Sequence, residues 1–198
     1  MKSCKKIINR SFFVVLFFAT QVHAQNIDVD ILKGINPQNP NSQYWIQTSG
    51  SAYWVPAVAC VGTFVYGLAK HDKREKIKAY ELFISVGGAI AVTEILKPIV
   101  NRERPGDAYP GIIFPNSATH GGSFPSGHTT LAFSTAMSLS LEYKKWYVVV
   151  PSFLWAGSVG YSRMYLGKHY PSDVLAGAVI GMGSAYISHW LSKKLFRK

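Results

Sequence analysis

Three short stretches of this chain fit one chemical device: Lys97 to Pro105 (KPIVNRERP), Pro125 to His128 (PSGH) and Ser162 to Asp173 (SRMYLGKHYPSD). Together they supply fixed cations, two imidazoles and one carboxylate, the groups needed to take a phosphoryl group off an ester through a covalent histidine. A phosphate monoester arrives with up to two negative charges and spreads charge over its equatorial oxygens in the transition state, so rigid cationic donors should surround it. Arg104 and Arg163 offer planar, bidentate pairing, and Lys97 adds a point charge. Taken singly, each has a plainer reading. Lys97 ends an apolar helix, where a lysine suits the negative helix end or snorkels, and the two arginines would pass as interfacial anchors.

Pro125-Ser126-Gly127-His128 immediately precedes an apolar run that begins at Thr129. Proline and serine at a helix start, with glycine allowing close backbone approach, present free amide donors at the positive helix end. An ordinary helix cap has the same look; as a functional element it is a phosphate cradle made by the Ser126 hydroxyl and the Gly127 amide. His169 and Asp173 lie four apart around Pro171, a residue favoured in the first helical turn. That spacing puts Asp173 on the first turn of a helix and His169 just before it. The carboxylate is then close enough to accept from one ring nitrogen, leaving the other free.

As a set these positions are specific, because about a dozen residues occur in fixed order. The set resembles the type 2 phosphatidic acid phosphatase superfamily, whose three-part signature reads Lys-x6-Arg-Pro, Pro-Ser-Gly-His and Ser-Arg-x5-His-x3-Asp. Every signature position is matched, over residues 97–173. The resemblance implies that His169 is the nucleophile, Asp173 its partner and His128 the general acid. It also implies that Lys97, Arg104, Ser126, Gly127 and Arg163 hold the phosphate. It does not specify the substrate. No clustering of His, Cys or carboxylates appears at metal-ligand spacing, which argues for a metal-independent reaction without cofactors. Glu94, one turn before Lys97, is expected to pair with it or with Arg102, which lies outside the signature.

Residues 1–24 read as a signal peptide, with a basic head of Lys2, Lys5, Lys6 and Arg10, an apolar run and Val22-His23-Ala24 at its end. Residues 25–52 form a polar periplasmic segment, in which Ile27 to Ile35 fits a helix lying at the membrane surface. Residues 53–198 form a membrane-embedded domain with apolar segments at Trp54 to Ala69, Tyr80 to Leu96, Thr129 to Leu141, Trp146 to Tyr161 and Val174 to Leu191. The expected fold is therefore all-α, a transmembrane helical bundle with about five spanning helices. Gly177 and Gly181 give the last one a small-xxx-small face for close helix approach. Cys60 sits in an apolar helix and has no partner within the mature chain.

Fifteen of the 21 Lys and Arg residues fall in four clusters, at Lys2 to Arg10, Lys70 to Lys78, Lys144-Lys145 and Lys193 to Lys198. Five crossings put the last three on one side, which the positive-inside rule makes cytoplasmic, and all three motifs on the other. The net charge of +11 therefore needs no nucleic acid to explain it. The expected protein is a metal-independent hydrolase of the bacterial inner membrane. It would act at the periplasmic face on a phosphomonoester or pyrophosphate of a membrane lipid, through phosphohistidine. Lipid A, undecaprenyl pyrophosphate, phosphatidylglycerol phosphate and phosphatidic acid all fit. A soluble periplasmic acid phosphatase is the main rival, favoured by the modest mean hydropathy of +0.09 and opposed by the alternating charge clusters. A vanadate-dependent haloperoxidase and a non-enzymatic transport or lipid-binding membrane protein are the others, the last leaving the paired histidines unexplained.

Overall fold

The computed structural model describes residues 27–71, 73–118 and 120–196, so the expected signal peptide lies outside the described residues. All regular structure among them is helical. α1 covers residues 27–35. It is followed by α2 (Gln43–Ala69), α3 (Lys73–Val100), the single turn α4 (Pro105–Ala108), α5 (Gly127–Tyr143), α6 (Trp146–Tyr165) and α7 (Pro171–Phe196). The five apolar segments expected from the sequence are thus five helices, each extended by the polar residues that flank it.

α5 is the axis of the bundle and packs against α2, α3, α6 and α7. Its interior face is made of small and hydroxylated side chains, with Thr129, Thr130, Ala132, Ser134, Thr135, Ala136 and Ser138 all buried. Their hydroxyls are paired within the protein. Thr130 and Thr135 donate to carbonyls one turn back, and Ser134 and Ser138 meet Ser85 of α3 at 2.7 and 3.0 Å. Where lipid rather than water surrounds a protein, apolar surface gains nothing by turning inward, so helices associate through small residues and internal hydrogen bonds. The large apolar side chains accordingly point out: Val58, Phe83, Ile99, Leu154 and Leu175 are 62–70% exposed. An outward belt of that kind does not suit the soluble rival.

Three stretches are long and apolar enough to cross a bilayer by length and composition: α2, the stretch Lys73–Ala108 and α7, with mean hydropathies of 1.5, 1.6 and 1.3. α5 and α6 are not among them. At 17 residues, α5 is about 25 Å long, short of the roughly 30 Å hydrocarbon layer. Enclosed by four neighbours, it meets little lipid and has no need of an apolar surface.

The close approach of α5 and α7 depends on the two glycines singled out from the sequence. A Cβ on Gly177 would lie 2.7 Å from the Ser126 carbonyl oxygen, and one on Gly181 would collide with the Thr130 carbonyl and lie 2.8 Å from the Ser134 nitrogen. α1 packs Val29 and Leu32 against Ile113 and Tyr170, with Ile27 and Ile31 exposed. Asn36, just beyond it, donates to the Phe114 and Tyr165 carbonyls and accepts from the Phe114 amide. The N-terminal segment is therefore part of the structure around the motifs.

Candidate active site

The C-terminal ends of α3 and α6, the N-terminal ends of α5 and α7, and the loop between α3 and α5 meet at one end of the bundle. They enclose a cavity of about 250 Å³ lined by Lys97, Arg104, Gly127, His128, Arg163 and His169, with Tyr53 of α2 beside them. Six of the eight residues singled out from the sequence thus share one cavity. The other two stand directly behind it. Asp173 is fully buried behind His169, and Ser126 is fully buried with its hydroxyl 2.9 Å from Thr129 Oγ1. That contact ties down the helix start that presents the Gly127 amide.

Nδ1 of His169 donates to the Ser123 carbonyl oxygen at 2.8 Å, with Asp173 Oδ2 farther off at 3.5 Å. A backbone carbonyl accepts only, so Nδ1 carries the proton and the lone pair is on Nε2. The sequence placed the carboxylate within reach of one ring nitrogen, and Asp173 Oδ2 is indeed beside Nδ1. The structure spends Asp173 more widely, because it occupies the third position of α7. Its Oδ2 accepts the backbone N–H of Tyr170 (2.9 Å), the reciprocal half of a capping box, and also the Ser123 hydroxyl. Burial pulls the His169 imidazole down to about 4; the charges of Arg163 and Arg104 act in the same direction and Asp173 against it. The ring is therefore neutral at pH 7, with the Nε2 lone pair free.

The cations differ in what they have left to give. Arg104 donates to the carbonyls of Gly121 (3.0 Å), Lys168 (3.1 Å), His120 (3.3 Å) and Gly122 (3.4 Å), so most of its donors fasten the loop and its charge is what reaches the cavity. Arg163 gives Nη1 to Ser49 at 2.7 Å, while its buried Nε has no hydrogen-bond partner among the described residues. A buried guanidinium nitrogen without an acceptor is costly unless a ligand supplies one. Lys97 pairs with Glu94 at 2.9 Å, as expected from their spacing, and its Nζ stands close to Gly127. His128 rests edge-on against the Tyr53 ring, with centroids 4.6 Å apart.

Two functional positions escaped the sequence reading. Arg102 donates through Nη1 to Asp173 Oδ1 (2.7 Å) and Ser172 Oγ (2.6 Å), and through Nη2 to Asp28 Oδ2 (2.7 Å), while its guanidinium stacks 3.8 Å above the Tyr170 ring. Asp28 of α1 also accepts from the Ser172 amide at 2.9 Å and from the Ser172 hydroxyl. Arg102 is within two residues of a signature arginine, a weak signal; Asp28 lies 145 positions before Asp173 and has none. Lys168 anchors the loop through Ser117 Oγ at 2.7 Å and the Ser117 carbonyl. Burial, aided by Arg163 and Arg104, lowers its ammonium to about 8. Next to it Gly167 has φ +65°, and a Cβ there would lie 2.6 Å from the Phe114 carbonyl oxygen, so only glycine seats the loop this closely.

The sequence model of the PAP2 superfamily matches residues 78–197. The chain belongs to that superfamily. A lipid A 4'-phosphatase of Bacteroides thetaiotaomicron is 29% identical over 180 residues, covering 86% of this chain and 79% of the relative. An undecaprenyl-diphosphatase of Sulfolobus acidocaldarius is 30% identical over 135 residues, covering 68% of this chain and 61% of the relative. Among solved structures, a transmembrane PAP2-type phosphatidylglycerolphosphate phosphatase from Bacillus subtilis superposes with a TM-score of 0.71. It is 21% identical, and the match covers 94% of this chain and 96% of that one. With that fold and family, the chain is a membrane-embedded phosphoric ester or pyrophosphate hydrolase.

Proposed function

We propose that this PAP2 member removes a phosphate from the headgroup of a membrane lipid through a phosphohistidine on His169. The observation that supports this most directly is the buried, unpartnered Nε of Arg163 in the same cavity as His169 and His128, a donor that lacks an acceptor where a phosphoryl group would sit. Nε2 of His169 attacks phosphorus in line, the bond to the lipid oxygen breaks, and His128 gives that oxygen its proton. Water then attacks the phosphohistidine, with His128 now taking the proton. Arg163, Lys97, Arg104 and the first amides of α5 hold the equatorial oxygens throughout. Asp173 keeps the His169 ring oriented and stabilises the positive charge it gains.

The lysine and arginine clusters at the loop between α2 and α3, the loop between α5 and α6 and the C-terminus favour a cytoplasmic placement of that end. The cavity is then at the periplasmic face of a bacterial inner membrane, where a lipid keeps its tails in the bilayer while its headgroup enters. Residues 1–24 act as the export signal in this reading, with residues 25–52 and 53–198 as the periplasmic segment and the phosphatase domain. The relative matched over most of both chains is named a lipid A 4'-phosphatase. A lipid A phosphate is therefore the substrate to assay first, against undecaprenyl pyrophosphate and phosphatidic acid.

The test is to incubate the purified protein with radiolabelled lipid phosphate, quench it, and look for acid-labile, base-stable label on the chain. Label on the wild type and none on His169→Ala is the expected result. Equal turnover in both would end the proposal.

A further inference from the structure

α3 packs along α7, and at the end of the bundle opposite the catalytic cavity a groove of about 580 Å³ opens between them. Ile77, Tyr80 and Ile84, spaced three and four apart on one face of α3, form one wall; Leu191, Leu195 and Phe196 of α7 form the other. Two polar residues of the lining are engaged inside the bundle. Glu81 turns its carboxylate to Nδ1 of His189 at 2.5 Å, and the Ser188 hydroxyl donates to the Glu81 carbonyl at 2.8 Å. From Asp173 to Leu191 along α7 is about 27 Å, so an occupant of this groove does not touch the reacting groups.

The groove ends in cations. Lys73 and Lys76, one turn apart on α3, belong to its lining, and Lys193 and Lys194 stand between Leu191 and Leu195 on α7. Neither Lys73 nor Lys76 makes an ion pair or hydrogen bond with another described residue, whereas Lys78 pairs with Glu75 at 2.6 Å. α3 opens a stretch apolar enough to cross a bilayer, so its first turn stands at headgroup level, where lysine stems lie along apolar surface and their ammonium groups reach the interface. Hydrocarbon walls below paired ammonium groups match an acyl chain below a phosphate, and a basic pocket between membrane helices is the arrangement that takes an anionic headgroup. A second copy seated here about a two-fold axis along the membrane normal would bring the same lysines face to face, which argues against it.

We propose that this groove binds one anionic phospholipid of the surrounding bilayer, its phosphodiester between Lys73 and Lys76 and an acyl chain along Ile77, Tyr80, Ile84 and Leu191. The lipid is a resident that clasps α3 to α7 and not a substrate, because its phosphate is held at the far end of the bundle from His169.

The experiment uses the full chain, delipidated in detergent and titrated with phosphatidylglycerol or with phosphatidylcholine of the same acyl chains. Native mass spectrometry counts the bound lipid, and the melting temperature is recorded alongside. One phosphatidylglycerol per chain is expected, held about tenfold or more tightly than phosphatidylcholine and raising the melting temperature. The double variant Lys73→Gln/Lys76→Gln should weaken phosphatidylglycerol by about tenfold or more and erase its advantage over phosphatidylcholine. Lys144→Gln/Lys145→Gln, the same loss of charge at the same end but outside the groove, should leave binding unchanged, and Ile84→Trp, which fills the groove, should weaken both lipids. Equal affinity of the wild type for the two lipids overturns the proposal, as does an equal loss in both lysine pairs, which would mean general attraction to the lysine-rich end. Loss of binding in Lys97→Gln instead would put the lipid in the catalytic cavity, and a lipid-independent dimer abolished by Ile84→Trp would make a second copy the occupant; either result overturns it. Phosphate release from the same preparations reports separately on the lipid phosphatase reading.

Discussion

In the proposed reaction His169, Asp173 and Arg163 do different jobs, and replacing each should give a different defect. His169→Ala removes the attacking atom and little packing, so turnover should vanish while the protein still inserts and elutes as a folded species. Asp173→Asn leaves an isosteric side chain but withdraws the negative charge that supports the ring as it becomes positive. A loss of about a hundredfold to ten-thousandfold in kcat, with KM less affected, is expected. Arg163→Lys keeps a charge and loses the planar fork, so the rate should drop sharply under formally conserved electrostatics. Since burial holds the His169 ring near 4, the sign with pH is definite: the attacking nitrogen is free above that value and protonated below it. The acid limb of kcat/KM should therefore fall near pH 4 instead of near the ordinary histidine value of 6.5, and an acid limb at 6.5 would count against a buried nucleophile. The signature residues could be read from the chain because their offsets are short and local. Asp28 could not, since its links to the site, an ion pair to Arg102 and hydrogen bonds from Ser172, are made across the fold. Asp28→Asn should lower kcat and shift that acid limb, an effect that loss of structural support alone would not produce.

Among the elements, α5 and α7 carry the tightest tolerance, because the glycines at 177 and 181 let backbone meet backbone. Gly181→Val should push the helices apart, at a cost of about 1–3 kcal/mol, read as a lower melting temperature in detergent. Gly177→Ala presses on the Ser126 carbonyl and should cost activity as well, since that carbonyl belongs to the helix start that presents the cradle. The two helices were legible as apolar runs, and their small-xxx-small face as a contact surface. Which helix sits in the middle was not, because α5 hides its position behind serines and threonines that look polar in one dimension and are satisfied in three. The packing of α1 was hidden for a related reason. Its apolar residues are visible in the sequence, but their partners Ile113 and Tyr170 lie far along the chain.

On the scale of the whole molecule, charge is distributed along the bundle axis. Lysines crowd one end; the cations that line the cavity and the three motifs occupy the other. A reporter fused after Lys78 or at Lys198 should register as cytoplasmic and one inserted between Gly106 and His120 as periplasmic; protease access to the Lys70 to Lys78 loop from outside intact spheroplasts would reverse the orientation. Because Lys97, Arg104 and Arg163 supply the positive charge of the cavity, phosphate release should persist in excess chelator and be inhibited by vanadate, which can mimic five-coordinate phosphorus. Rescue by an added divalent ion after chelation would contradict that division of labour.

The bridge from Asp28 to Arg102 and Ser172 carries a consequence for the order of synthesis. Asp28 leaves the ribosome early, and its partner Ser172 is 144 residues behind it. At the usual 5–20 residues per second, the first half of this clamp waits on the order of ten seconds for the second. During that interval α2 to α6 are made, and His169 arrives only just before α7. A chain arrested at residue 165 would thus lack His169, Asp173 and the helix that packs on α3 and α5, and hydrolytic activity should appear in one step once the last helix is released.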